Sequence, residues 1–477
     1  MYQSQRLAMV ASLSLLIAPL LASRFASAQD RPVVFADITV IDATGSPARQ
    51  HRMVTVNTGK IAGIEEYSRG SEPKTADVID GRGKFLIPGL WDMHVHWYDE
   101  RFLPLFIANG ITGVRQMWGM EVHQQWRRRI EDGSLLGPRE FIASPIIDGP
   151  KPVWPSSIAV KDAAEGEAAV RNSRKNGADF IKVYSLLPRE VYFAIAAESK
   201  KEGIPFAGHV TYAVSLSEAS DAGQKSVEHL SGVLLAASSR EDEFRKELVE
   251  AMSSDNPYAA TSALARRRSK EIRESYDPVK AAALYRHLAR NRTWQTPTLT
   301  VVRAAANLDN SNFVDDPRLK YISLTVRQRW DPRNDFRFKE RTNEDWEEAR
   351  RTYDLYVKVV GEMRHEGIPI LAGTDVLNPF CFPGFSLHDE LALLATAGLT
   401  PMEALQAATR SAAEYLGILD SFGTVEKGKT ADLVILDANP LDDITNTQKI
   451  AGVMMGGRYF PKASLEKMLA DVEAVAR

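Results

Sequence analysis

His94-Val95-His96 closes the apolar run Ile87-Pro88-Gly89-Leu90-Trp91-Asp92-Met93, and its one-residue spacing is the first feature of the sequence that could do chemistry. On an extended strand, side chains at i and i+2 point to the same side, so the two imidazoles project together. Two neutral imidazoles on one face are a half-site for a divalent cation such as zinc. A His-x-His pair alone is also a common surface feature, and the argument depends on its company. Asp375 ends another strand-like run, Ile370-Leu371-Ala372-Gly373-Thr374, where it offers an anionic ligand and a proton acceptor. Its plainer role there is to cap the next helix. His209 and His229 end the runs Phe206-Ala207-Gly208 and Ser226-Val227-Glu228, twenty residues apart, the length of one strand, one helix and the next strand. Four of the nine histidines therefore sit at the ends of strand-like runs.

Lys182 lies inside the β-forming run Ala178-Asp179-Phe180-Ile181-Lys182-Val183-Tyr184. A buried ammonium is costly unless paired or neutralised. Pairing would make it an ordinary core salt bridge. Neutralisation opens another route, because a neutral amine adds carbon dioxide to give a carbamate, a two-oxygen anion able to bridge two cations. Tyr184 shares the strand face of Lys182, and its hydroxyl is placed either to stabilise a developing oxyanion or to pack as a core aromatic. Trp97, Trp118, Trp154 and Tyr212 follow strand ends and are candidates to line an apolar pocket, with His388 a further candidate for substrate contact. His51, His123, His287 and His365 read as structural or exposed. Cys381, the single cysteine, excludes an intrachain disulfide and reads as a small apolar side chain between Phe380 and Phe382.

To bring these residues together, the chain must supply strands ending at one face. Strand-like runs recur at Ile87 to His96, Thr112 to Met117, Glu140 to Ile147, Ala178 to Tyr184, Pro205 to Val210, Lys225 to Leu230, Thr293 to Val302 and Ile368 to Thr374, with helical stretches between them. Eight such runs predict an α/β protein whose residues 87–419 form a (β/α)8 TIM-like barrel. An open doubly wound sheet is the alternative, but no Gly-x-Gly-x-x-Gly follows a first strand. Residues 231–292 and 307–351 exceed what a barrel needs and are expected to shape access to its mouth. Residues 31–84 read as a β-meander. After a helix from Pro401 to Leu416, strand character returns at Gly423 to Val425, Asp432 to Asp437 and Ile450 to Met455. Residues 29–86 and 420–477 are thus expected to pair into one small β-domain, closed by a helix from Ser464 to Ala476.

The composition, 44% hydrophobic and 25% charged over 477 residues, excludes collagen, low-complexity disorder and coiled coil. A formal net charge of -3 advertises no nucleic-acid partner, and Arg266-Arg267-Arg268 reads as a solvated helix face among acidic neighbours. Residues 1–28 have the layout of an export signal: Arg6, an apolar stretch from Leu7 to Ala22 interrupted by Pro19, and Ala26-Ser27-Ala28 before a new terminus at Gln29. A periplasmic or secreted protein is expected, with no stable membrane insertion once the signal is removed. An uncleaved anchor is the other reading. The sequence leaves a homo-oligomer open.

Taken jointly, Ile87 to His96, Gly177 to Tyr184, Gly208-His209-Val210, Glu228-His229, Ala372 to Asp375, Gly398 to Leu405 and Gly423 to Val434 resemble the metal-dependent amidohydrolase superfamily, in its branch of imidazolonepropionase-like proteins and Xaa-Pro dipeptidases. The resemblance implies a distorted (β/α)8 barrel with a composite β-sandwich and a centre of two divalent ions, for which the histidines favour zinc. It further implies that His94, His96 and Asp375 hold one ion, that His209 and His229 hold the other, and that N6-carboxylated Lys182 bridges them. A shared hydroxide is then the nucleophile, and Asp375 carries its proton to the leaving amine. Carbamate, Asp375 and hydroxide together offset most of the charge of two divalent ions, whereas a cationic Lys182 would not. The expected substrate is a small molecule with an amide or peptide-like C–N bond, of the dipeptide or N-acyl amino acid type. A one-metal deaminase or cyclic-amide hydrolase, and an inactive periplasmic binding protein, are the alternatives.

Overall fold

The computed structural model describes residues 31–476; the expected export signal lies outside the described residues. β1 (Val33–Val40), β2 (Arg49–Asn57) and β3 (Lys60–Glu66) run antiparallel in succession. The β2–β3 turn places Thr58 and Gly59 at φ 48° and 75°, the paired left-handed positions of a two-residue hairpin whose twist matches its strands. The meander ends there. β4 (Asp77–Asp80) and β5 (Phe85–Pro88) return to pair parallel with β1, because the connections from β3 onward cross over instead of turning tightly.

From β6 (Leu90–Val95) to the strand ending at Thr296, strands pair in parallel, most of them with helices between. β6, β7 (Ile111–Gln116) and β8 (Arg139–Ile142) form one sheet. A second, in the order β10-β9-β11-β12-β13-β14, comprises β9 (Ile147–Asp148), β10 (Ile158–Ala159), β11 (Ile181–Val183), β12 (Phe206–Gly208), β13 (Ser226–Glu228) and β14 (Trp294–Thr296). Single parallel bridges connect Ala143 to Phe180, Gln295 to Ile370, and Val376 to Val95 in β6. β6, β7, β11, β12, β13 and β14 are buried along their whole lengths, as parallel strands covered on both faces must be.

Further expectations about elements are corrected. The run Thr293 to Val302 is a strand only to Thr296: Thr298 adopts φ 47°, and a helix starts at Leu299 because the Glu390 carboxylate accepts from the Leu299 and Thr300 amides. Ile368 to Thr374 holds one bridge, at Ile370, instead of a continuous ladder. The stretch Pro401 to Leu416 divides into helices Pro401–Ala407 and Arg410–Leu416, with Thr409 between them at φ -135° and ψ -91°.

β15 (Leu433–Leu436), β16 (Ile450–Met455) and β17 (Arg458–Pro461) rejoin the first sheet, where β15 lies antiparallel to β5. Both ends of the described chain thus share one eight-stranded sheet, ordered β17-β16-β15-β5-β1-β2-β3 with β4 beside β1. Gly423 to Val425 forms no strand; Val425 donates its amide to the Asp42 carbonyl. The last helix, Lys462–Ala476, buries Leu465 and Val472. Among the described residues, no helix is long and apolar enough to cross a membrane.

One carboxylate in this frame is poorly served. Glu140 in β8 is 6% exposed, and neither carboxylate oxygen has a hydrogen-bond partner. Burial pushes it up to about 8, despite the nearby Arg127 charge. Between its ordinary value of 4.5 and about 8, the unfolded chain has released a proton that the folded chain retains, so stability falls as pH rises through that window. The loss is up to about 1.4 kcal/mol per pH unit. Glu140→Gln is expected to raise Tm at pH 8 and to change it little at pH 5. Thermal unfolding at the two pH values checks this, and an unchanged or lower Tm at pH 8 contradicts it.

Candidate functional site

His94 on β6, His96 just beyond it, His209 after β12, His229 after β13 and Asp375 after Thr374 converge beyond the carboxyl ends of the parallel strands. His94 Nε2 lies 3.2 Å from His96 Nε2, and Asp375 Oδ1 lies 3.4 Å and 3.1 Å from these two nitrogens. Such a triangle has the edges of three donors that each sit roughly 2.0–2.2 Å from one zinc-like ion. Asp375 Oδ2 reaches toward His229 Nε2 at 3.7 Å, and one coordinating atom each from His94, His229 and Asp375 lie within 4.8 Å of one another. The His209 and His229 rings stand nearly perpendicular with centroids 5.1 Å apart. Asp375 Oδ1 is buried and makes no hydrogen bond, as suits an atom reserved for a cation.

Three of the four far nitrogens are held from behind, whereas His96 Nδ1 is buried without a partner. His94 Nδ1 donates to Glu228 Oε2 at 2.8 Å. His229 Nδ1 lies 2.7 Å from Thr298 Oγ1, whose own proton goes to the Pro297 carbonyl, so the imidazole is the donor. Ser185 Oγ meets His209 Nδ1 at 2.8 Å. Where Nδ1 donates, as in His94 and His229, Nε2 presents its lone pair to the centre. Burial first, then the positive charge of Lys182, holds His94 and His209 well below the ordinary imidazole value, so both are neutral. For Asp375, burial pushes upward, but His229 and His96 outweigh it and keep the carboxyl below its usual range.

Glu228 is itself fully buried and pairs with Arg115, whose Nη2 donates to both carboxylate oxygens at 2.9 Å. Arg115 also donates to the Met93 carbonyl, Ser226 Oγ and Tyr415 Oη, so its charge is spread over fixed acceptors from several strands. Asp92 accepts from the Thr374 amide and hydroxyl and from the His94 amide, joining β6 to the segment before Asp375. His229, Thr298 and Asp375 have φ of 58°, 47° and 59°. Non-glycine residues in this left-handed region mark backbone held to serve a site.

Lys182 in β11 is buried, and its Nζ has no hydrogen-bond partner. Burial lowers it to about 8, although Glu228 and Asp375 pull the other way. A partnerless amine so close to neutrality is what a modified or metal-facing lysine requires. Two glycines make room. A Cβ on Gly208 would stand 2.2 Å from the Val183 carbonyl oxygen and 3.1 Å from Lys182 Cδ, and one on Gly373 would stand 2.9 Å from the His94 amide nitrogen. The Tyr184 ring stacks on His209 at 4.0 Å, and its hydroxyl accepts from Trp154 Nε1 at 2.8 Å.

Three expected substrate contacts fall elsewhere. Trp97 is fully buried and stacks on Trp126 at 4.5 Å. Tyr212 packs on the cluster around Leu235 and Phe244. His388 bonds the Asn109 carbonyl and the Thr447 hydroxyl at 3.1 Å and 3.0 Å. Trp97 and Tyr212 follow strand ends but turn into the packing layer, and His388 sits on the buried face of the helix Phe385–Thr396. Conversely, sequence reasoning gave Glu228, Arg115, Asp92 and Thr298 no role. Arg115 carried a readable signal, a cation inside a β-forming run, the same feature that marked Lys182.

The sequence profile of the amidohydrolase family matches residues 85–459. Over 76 residues the chain is 43% identical to an imidazolonepropionase of Pseudomonas savastanoi pv. phaseolicola (strain 1448A / Race 6), covering 16% of this chain and 19% of that protein. The chain thus matches about a fifth of the length of such curated relatives. A solved bottromycin amidohydrolase superposes with a TM-score of 0.74 at 24% identity, covering 94% of this chain and 91% of that one. A Xaa-Pro dipeptidase with methionine bound in its active site superposes with a TM-score of 0.64 at 21% identity, covering 90% and 100% respectively. These superpositions establish a shared α/β fold.

Proposed function

Because the chain belongs to the amidohydrolase family, we propose that it is an exported hydrolase that uses two divalent metal ions to cleave an amide or peptide-like C–N bond in a small molecule. The observation that carries this reading is the triangle of His94, His96 and Asp375 donor atoms, with edges of 3.1 to 3.4 Å, in one site with the partnerless Lys182 amine. In this reading the parallel strands and their single bridges close a (β/α)8 barrel over residues 87–419. Residues 29–86 and 420–477 form a composite β-sandwich domain, and the segment 1–28 directs export to the periplasm or beyond.

His94, His96 and Asp375 would hold one ion, His209 and His229 the other, and N6-carboxylated Lys182 would lie between them, with zinc favoured by the imidazoles. When bound, the ions lower the pKa of a water and polarise the scissile carbonyl. Asp375 takes a proton from the attacking water and returns it to the departing amine. Tyr184 accepts from Trp154, which leaves its own O–H free to donate to the oxygen on which charge develops. Glu228 and Arg115 keep His94 in one tautomer and one orientation. A dipeptide or an N-acyl amino acid fits such a site, and the names of the amidohydrolase and dipeptidase that share the fold point the same way.

Metal analysis of the purified mature protein, coupled to turnover of dipeptides, N-acyl amino acids, lactams and lactones, tests the proposal. About two ions per chain with hydrolysis of open-chain amides is the expected result. One ion per chain with activity confined to cyclic amides would favour a mononuclear cyclic-amide hydrolase. A loaded protein inert toward the whole panel would indicate a binding protein.

A further inference from the structure

We propose that this site selects amides carrying a flat aromatic group, seated on an aromatic wall in which Phe336 is the specificity-determining residue; the inference rests on the hydrolase reading above. The wall is continuous with the candidate centre. Trp118 meets the His96 ring edge-on at 6.4 Å, Trp154 lies 6.1 Å from Trp118, and Phe336 lies 5.6 Å from Trp154. Tyr98 joins Trp118 at 6.2 Å, and Tyr258 backs Phe336 at 5.2 Å. Trp154 is also the donor to the Tyr184 hydroxyl, so the wall begins where the reacting bond would lie.

Successive rings meet at 49° to 88° and never stack face to face, so each contact sets the edge of one ring against the face of its neighbour and covers no more than one face of either partner. Tyr98 and Phe336 are 47% and 46% exposed. Large apolar rings left open beside a polar site are the features of a binding surface. A planar aromatic group gains offset or edge-to-face contacts there that a saturated ring of similar size does not. The wall is also held in place. Arg337 lies over Trp154 at 5.5 Å, is paired with Asp335, and donates to Asn378 Oδ1 at 2.7 Å. Asn378 Nδ2 donates to the Asp375 carbonyl at 2.9 Å, so the insertion bearing Phe336 is fastened to the loop bearing Asp375.

The test compares N-benzoyl-alanine with its cyclohexanecarbonyl analogue on the metal-loaded protein, by dissociation constant from calorimetry and by kcat/KM. The benzoyl compound is expected to be favoured about tenfold in both measures. Phe336→Ala is expected to bring that ratio toward one through KM and Kd, while Phe336→Trp keeps it. Phe336 is half exposed, so neither substitution removes core packing. Equal binding of the two compounds by the wild type overturns the inference, even if both are hydrolysed and the hydrolase reading stands. An undiminished preference in Phe336→Ala overturns the role of that residue. Selective binding of the benzoyl compound without turnover of any amide would instead contradict the hydrolase reading and leave the wall as a ligand site.

Discussion

Lys182→Ala is expected to lose bound metal and to lower turnover by more than about a hundredfold, beyond the 10- to 100-fold that partners behind a ligand typically cost. The reason is local. The Lys182 amine is buried, has no hydrogen-bond partner and is lowered to about 8, so a lysine serving only the core would be a liability whose removal relieves the fold. A carbamate at that position would reverse the argument, because its negative charge and two oxygens are what two cations would need if held between His94, His96, His209 and His229. Elemental analysis and kinetics check the loss. A carbamate signal in protein prepared with 13C-bicarbonate, present in the wild type and absent in Lys182→Ala, checks its cause. Partial recovery of the variant by a short carboxylic acid such as propionate would agree with a missing anionic oxygen pair. Full retention of metal and turnover would remove Lys182 from the site.

Arg115→Met is expected to be the most damaging substitution away from the imidazoles. It strands the Glu228 carboxylate in a wholly buried place, leaving only the neutral donors Ser226 and His94 in contact with it. Breaking one partner of such a buried pair typically costs about 3–5 kcal/mol. The damage should also reach the centre, since Glu228 fixes the tautomer of His94; weaker metal binding by about 10- to 100-fold is expected. The double variant Arg115→Met with Glu228→Gln should recover part of the stability, because no charge is then left unpaired. Denaturant unfolding and metal titration of the two variants measure both effects. Stability of Arg115→Met within about 1 kcal/mol of the wild type would show that Glu228 finds another partner or a proton without penalty.

The legible part of the site consists of residues whose chemistry and strand position coincide. His94 and His96 are readable because a period of two puts them on one side, and His209, His229 and Asp375 because each follows a short run of strand-forming residues. Trp97 and Tyr212 follow strand ends too, and His388 lies on a helix beyond one, yet all three pack elsewhere, because the direction of a side chain is set by what its loop or helix packs against. Glu228 and Arg115 are 113 positions apart, and nothing local to either announces the pair. The misread elements have the same origin. Thr293 to Val302 is rich in β-forming residues, but Pro297 ends the strand after Thr296, and the switch to helix after Thr298 is fixed by Glu390, a distant carboxylate that caps the first amides.

By itself, the sequence determined most of the order of strands and helices, the parallel character of the middle of the chain and the identity of the side chains able to bind metal, because hydrophobic period and residue chemistry are local properties. Only the tertiary structure decided which nitrogen of each imidazole faces inward, which buried charge balances Arg115, and that Trp118, Trp154 and Phe336 form one wall. Those facts depend on distances between atoms brought together from far along the chain, and a hydrogen bond or ion pair acts only over a few ångströms.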